Sequence, residues 1–555
     1  MHLLLAALLL AGTAPPDLLL ENGTVYVSSD ARPAKSSVLI SGGRVAFVGD
    51  PAAARARAKS ARTVDLSGKF VFAGFADAHL HTLGVGKATE NANLRDAKSA
   101  EDAARRMAAA ASKLPPGVWV EGRGWDQTRW QGREFPDART LDAAVPDRPA
   151  LARRVDGHAI WVNSAALRMA KMDSATKDPE GGRILRRKDG SPSGVLVDNA
   201  VALVVRAAPE PTAADLERWL TEGAEACARA GLTEVQDASG YEPASVAALE
   251  RLAARGALPI RLYATVSPSP DTLPKSLAGG RKGGRPGDFL TIRAIKSYAD
   301  GALGSRGAAL LADYSDEPGK RGLLVTPPER LAEVATAARR AGWQSWIHAI
   351  GDRGNRIALD AYEKAAAAVP HSPEGGDRPR IEHAQVIAPD DFARFAKLSV
   401  IASIQPVHAT SDMRWAEDRV GPERIKGAYA WRRLIDAGVK LAGGSDAPVE
   451  TESPIEGFYA AVTREDSDGH PPGGWRPQER LTRPEALALY TSDAAWAAFE
   501  ESWRGRIAPG MAGDLTVLSG DPMTAAESEI ARIPVYMTIV GGKVAYGPPR
   551  AAPSP

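Results

Sequence analysis

The chain has 555 residues, of which 44% are hydrophobic and 25% charged, and its formal net charge is +1. That length exceeds one ordinary domain and fits a large barrel with a smaller domain or insertion. The near-zero charge leaves no footprint for nucleic acid or an anionic membrane surface, so the expected partner is a small molecule. The single cysteine, Cys227, excludes a disulfide framework and a cysteine metal site.

The opening segment MHLLLAALLLAGTAPPD carries an apolar run from Leu3 to Ala11, too short to span a bilayer and followed by small residues. Residues 1–16 are expected to act as an export signal, giving a periplasmic or secreted protein. No Lys or Arg precedes the run and Pro15 follows the best cleavage point, which supports a tail on a cytoplasmic protein instead. No integral membrane domain is expected, and the sequence leaves open whether the chain forms a homodimer.

Residues 17–72 read as short strands broken by Asn-Gly and Gly-Gly pairs, which signal hairpins. Residues 503–548 repeat that style in "GDLTVLSGD" and "PVYMTIVGGKVAYG". The two ends together suggest one small β-sandwich-like domain. Between them, residues 73–502 alternate strand-like apolar runs with alanine-rich helical runs. The strand candidates are "FVFAGFADAH", "LTEVQDAS", "IRLYATV", "TIRAIKSYAD", "QSWIHAI", "PRIEHAQV", "SVIASIQP" and "VKLAGGSD". This α/β alternation argues for a parallel sheet, and eight units favour a TIM (β/α)8 barrel. Residues 113–208, rich in Trp, Pro and Gly, read as an insertion after barrel strand one.

The polar residues at the strand ends point to chemistry. Strand one ends in His79 and His81, strand four carries Lys296, strand five ends in His348, strand six in His383 and strand eight in Asp446. Of nine histidines, four therefore fall at strand ends that a TIM barrel gathers at one mouth. Residues two apart on a strand point the same way, so His79 and His81 can share one target. Imidazole and carboxylate ligands suit Zn²⁺ and, less tightly, Mn²⁺, Fe²⁺ or Co²⁺, in one or two copies. An ammonium at Lys296 would repel such a cation. It must deprotonate, turn towards the helix layer, hold a substrate carboxylate, or become a CO₂-derived carbamate.

The motifs "FADAHLH", "RVDGHAIWVNSAAL", "IKSYADGALGSR", "IHAIGDRGN", "RIEHAQ", "SIQPVH", "GGSDAPVE" and "GRIAPGMAGDLTVLSGDP" run in order over nearly the whole chain. Together they resemble the amidohydrolase superfamily, and within it family 3, the YtcJ-like and N-substituted formamide deformylase-like hydrolases. The resemblance implies a TIM barrel with a β-sandwich-like domain from both termini, and hydrolysis of a non-peptide C–N bond by metal-activated water. Carried over by position, it implies a metal set of His79, His81, Lys296, His348, His383 and Asp446. Ala73 and Ala302 depart from the proline and serine usual in the pattern, but neither removes a ligand. The expected mechanism uses Asp446 as general base and then acid, with His383 polarising the carbonyl if one metal is present. Trp125, Asp126 and His158 of the insertion and Asp300 after strand four are the expected substrate contacts. The same site could serve deaminase, cyclic amidase, dipeptidase or lactonase chemistry. A non-catalytic exported binding protein is the alternative from another class.

Overall fold

The computed structural model describes residues 17–267, 269–371 and 376–548, so the export segment read over residues 1–16 lies outside the described residues. Its centre is a barrel of eight parallel strands: β1 (Phe75–Leu80), β2 (Leu232–Tyr241), β3 (Arg261–Val266), β4 (Leu290–Tyr298), β5 (Gln344–Ala349), β6 (Arg380–His383), β7 (Ile401–Ile404) and β8 (Leu441–Gly443). Each strand pairs with the next in sequence. Backbone bonds just past the strand ends link the first to the last: Asp446 N–H donates to His79 O at 2.6 Å and His81 N–H to Ala447 O at 2.9 Å. Those two links place the termini of β1 and β8 side by side, where the expected ligands sit.

The strands are buried on both faces, as parallel strands under a helix layer must be. β1, β3, β5, β6 and β7 have every residue buried. The helices outside follow from local sequence. Helix Ala213–Arg229 starts at Thr212, whose side chain and that of Asp215 cap each other's backbone. Helix Pro328–Ala341 buries Leu331, Val334, Ala335 and Ala338 along one stripe and stops at Gly342, which adopts the left-handed conformation. Inside the barrel, Tyr263 and Trp346 stack at 5.9 Å and the Arg380 guanidinium lies 3.6 Å from the Trp346 ring centroid. Arg380 links this stack to the polar site through a hydrogen bond to Glu382 at 2.9 Å.

The run "FVFAGFADAH" is two strands. Phe70–Ala73 pairs antiparallel with Leu515–Leu518 in a terminal sheet, and β1 begins only at Phe75. Gly74 makes the junction, because a Cβ there would lie 2.4 Å from Thr233 Oγ1. The terminal sheet joins five strands between Leu18 and Ala73 to Leu515–Leu518, Val535–Val540 and Lys543–Tyr546, and it branches at Leu18–Val25. Its apolar side chains form their own cluster, with Leu20, Ile40, Val71, Leu515 and Ile539 at its centre.

A third sheet, of six strands, lies between β1 and β2 and ends with Pro192–Asp198. It takes in Ala92–Asn93, and helix Ala100–Ala111 packs Met107 against it. The inserted unit therefore starts at Ala92, ahead of the Lys113 expected from composition. The helix is alanine-rich like the barrel helices, so composition did not mark the boundary. Among the described residues no helix is long and apolar enough to cross a membrane.

Candidate metal centre

The site starts from the exit of β1. Asp77 is buried, and its carboxylate accepts the His79 N–H at 2.9 Å and the Ser445 N–H at 3.0 Å. It thereby pins β1 to the loop after β8. Burial pushes its pKa up to about 7, against the hydrogen bonds from Ser445 and His79. Gly444 allows the close approach, since a Cβ would sit 2.4 Å from His79 N. The loop then turns Asp446 inward at φ 56°. His383, at the end of β6, also adopts a left-handed φ, 73°. Non-glycine residues pay for that conformation, and such strain concentrates at functional sites.

Asp446 is the hub. Its Oδ1 lies 2.9 Å from His81 Nε2 and 3.5 Å from His79 Nε2, and its Oδ2 lies 3.7 Å from His408 Nε2. Two close groups of ligand atoms share it: His79, His81 and Asp446, and His383, His408 and Asp446. His348 and Lys296 line a cavity of about 500 Å³ with His79, His81, His383 and Asp446 but belong to neither close group. The His348 ring centroid is 4.5 Å from that of His383.

A second layer orients the rings. His79 Nδ1 meets Glu382 Oε2, and Glu382 Oε1 accepts from Arg380 Nε at 2.9 Å. Arg380 is held in turn by Gln236 Oε1 at 2.6 Å and Ser403 Oγ at 2.8 Å. His383 Nδ1 pairs with Gln405 Oε1 at 2.8 Å. A metal-ligating histidine needs such a partner on its far nitrogen, which fixes the tautomer and raises basicity.

The electrostatics suit a cation. Burial, together with neighbouring positive groups such as Lys296, holds His79, His348 and His383 well below the usual histidine range, so their rings are neutral and can offer lone pairs. Burial alone would raise Asp446. The His81 hydrogen bond and the adjoining imidazoles of His79, His81 and His408 overcome it and hold the carboxyl well below the usual carboxylate range. The Nε2 atoms of His79, His348 and His408 are buried without a hydrogen-bond partner. Buried orphan nitrogens are costly unless something satisfies them, and this donor set fits a divalent ion with nitrogen and oxygen preference. Burial pushes the Lys296 amine down to about 8, with Glu382 and Asp446 acting against it.

The structure separates the expected substrate contacts. Trp125 is fully buried, donates from Nε1 to Ala152 O at 2.8 Å and packs on Trp130 and Trp161, so it belongs to the inserted core and lines neither cavity of the mouth. Asp300 is likewise buried and lines neither cavity of the mouth. Its carboxylate accepts the backbone N–H groups of Ala309, Ile350 and Gly351, at 2.8, 3.0 and 2.8 Å, and so organises the loops after β4 and β5. Arg306 pairs with Asp316 at 2.9 Å, and Asp352 accepts the Leu311 N–H at 2.8 Å and the Arg353 N–H at 2.9 Å. Asp126 lines the smaller adjoining cavity, of about 130 Å³, and its carboxylate is held by Thr128 and Arg154. His158 lines both cavities, with Nδ1 2.7 Å from Asp198 Oδ1 and its ring 5.0 Å from that of His348. Burial would lower its pKa, but Asp198 raises it above the ordinary histidine value.

Two functional positions were absent from the candidates. His408 sits in the first turns of the helix Pro406–Asp412, past the end of β7, and "SIQPVH" was its only signal. Glu382 was visible as the residue before His383, but its role depends on a contact with β1 that spacing does not show.

Residues 62–546 match the model of a family described as "Amidohydrolase family". "Putative amidohydrolase YtcJ" of Bacillus subtilis (strain 168) is 34% identical over 487 residues, covering 87% of this chain and 90% of that protein. The N-substituted formamide deformylase of Arthrobacter pascens is 29% identical over 546 residues, covering 96% of this chain and 98% of its own length. A crystal structure of a metal-dependent hydrolase from Pyrococcus horikoshii OT3 superposes with a TM-score of 0.75 at 29% identity, covering 93% of this chain and 99% of that one.

Proposed function

The chain belongs to the amidohydrolase family, and from that premise we propose that it hydrolyses an amide- or formamide-like C–N bond, other than a peptide bond, in a small molecule. The observation that carries the reading is the convergence of buried, unpartnered imidazole nitrogens on Asp446 at the barrel mouth. The formamide deformylase relative supports the choice of bond. His79, His81 and Asp446 would hold one divalent ion, zinc by the chemistry of the donors, and His383, His408 and Asp446 a second, with His348 and Lys296 lining the same cavity. Such an ion, when bound, supplies Lewis acidity and lowers the pKa of water in contact with it.

The protein's own groups do the rest. Asp446, the carboxylate on which the imidazoles converge, accepts a proton from the attacking water. It then returns that proton to the departing nitrogen, because an amine leaves poorly unless protonated. Glu382 and Gln405 hold the His79 and His383 rings in place from behind. His158, oriented by Asp198, donates to a substrate oxygen across the cavity from Asp446. Lys296, buried and partly neutral near pH 8, is the residue placed to take up CO₂ as a carbamate, losing one proton as the N–C bond forms.

The test is a panel of N-substituted formamides and simple amides assayed for amine release. The expected result is turnover that chelation abolishes and zinc restores, and that falls at least about 100-fold in Asp446→Asn. Metal-replete protein that cleaves no C–N bond in the panel would overturn the proposal.

A further inference from the structure

We propose that the substrate carries a carboxylate, and that Arg123 and Arg153 of the inserted sheet bind it. This rests on the catalytic reading above and adds a substrate class to it.

The two arginines occupy paired positions on neighbouring parallel strands, Val120–Trp125 and Ala150–Arg154, with Arg123 in register with Arg153. Both line the cavity that holds His79, His348 and Asp446. Paired residues on adjacent strands lie about 5 Å apart, and like charges placed so are destabilising. A protein ordinarily sets a carboxylate beside them. Here, among the described residues, neither guanidinium has an ion-pair partner. Arg123 donates to Val155 O at 3.3 Å and its Nε is buried without a partner, while Arg153 donates to Gly157 O at 3.4 Å. Burial, and then Arg153, push the Arg123 pKa down to about 10.

The nearby acids are committed elsewhere. Asp156, on the same cavity wall, is paired with Arg154 and accepts His158 N–H at 3.1 Å. Glu121 pairs with Lys87 at 2.7 Å. Asp446 pairs with His81 and faces the other imidazoles. Two partly desolvated guanidinium forks therefore look into the reaction chamber with donors to spare. Arginine forks match the planar geometry of a carboxylate, and such pairs are strong where water is limited. Arg123, Arg153 and Asp446 line one cavity, so a carboxylate held by the two arginines shares the chamber in which the bond is cut. An amide or formamide of an amino acid has this shape.

The experiment compares matched probes that differ only in the carboxylate: N-formylphenylalanine, as both enantiomers, and N-formylphenethylamine. The expected result is a kcat/KM at least about tenfold higher for one enantiomer of the acid, expressed mainly in KM. In R123Q and R153Q the ratio of acid to neutral probe falls towards one, with metal content unchanged and the melting temperature no lower than in the wild type. R153K, which keeps the charge, retains part of the ratio. Equal use of both probes by the wild type, or a ratio unmoved in both glutamine variants, would overturn the inference. If neither probe is hydrolysed, calorimetric binding decides. Acid binding that weakens about tenfold in R153Q upholds the arginine site while the C–N hydrolysis reading fails, and no acid binding to wild type overturns the site itself.

Discussion

Glu382→Gln tests the layer behind the candidate ligands. The wild-type carboxylate is fully buried, with one oxygen on His79 Nδ1 and the other accepting from Arg380 Nε at 2.9 Å. Glutamine keeps the shape but turns one acceptor into a donor. That donor must face either the His79 ring or the Arg380 guanidinium, both of which already donate. The mismatch costs about 1–3 kcal/mol of folding stability. The separate effect is on the ion. A lost carboxylate behind a histidine ligand typically weakens metal binding about 10–100-fold, or about 1.4–2.7 kcal/mol. Competition against a chromophoric chelator at neutral pH reads the affinity, and a melt of the chelated protein reads the folding cost. Weaker binding that exceeds what the melt explains is expected. An unchanged metal affinity would mean that His79 is not a ligand oriented by Glu382, and that the carboxylate serves only Arg380.

Other predictions follow from the same geometry. His408→Ala should remove one ion from the close group with His383 and leave the group of His79, His81 and Asp446 loaded, which elemental analysis will show; full occupancy would place the second ion elsewhere. Because burial brings Lys296 down to about 8, its neutral, CO₂-reactive form becomes the major one as pH rises through that value. Uptake of ¹³C-labelled CO₂ should therefore grow between pH 7 and 9 and vanish in Lys296→Ala, and a flat profile would remove the carbamate. Trp125→Ala should cost about 3–5 kcal/mol in denaturant melts, because it empties the inserted core. A normal melt with a raised KM would return Trp125 to the substrate wall.

Much of the barrel was legible because a parallel strand under helices writes itself as a short apolar run, and each of the eight runs held one barrel strand. The junction at Gly74 was not, since Phe70–Ala73 and β1 are equally apolar and only pairing with Leu515–Leu518 separates them. His79 and His81 stood out because charged or polar ligands at the end of an apolar strand break the pattern. His408 did not, because it lies on a helix where a polar residue breaks nothing. Trp125 and Asp300 were assigned to substrate because aromatic and acidic residues near the mouth invite it. Burial decides otherwise for both: the indole is consumed by Ala152 O, and the carboxylate by three backbone amides. Arg123 and Arg153 gave no signal in the sequence, and only the strand register sets them side by side.

The most direct test of the central claim is elemental analysis of the purified, zinc-reconstituted chain beside its His79→Ala/His81→Ala double variant. The account predicts at least one tightly held divalent ion per wild-type chain, with the ion of the His79, His81 and Asp446 group lost from a variant that still folds. No retained ion in the wild type, or the same content in both proteins, would contradict it.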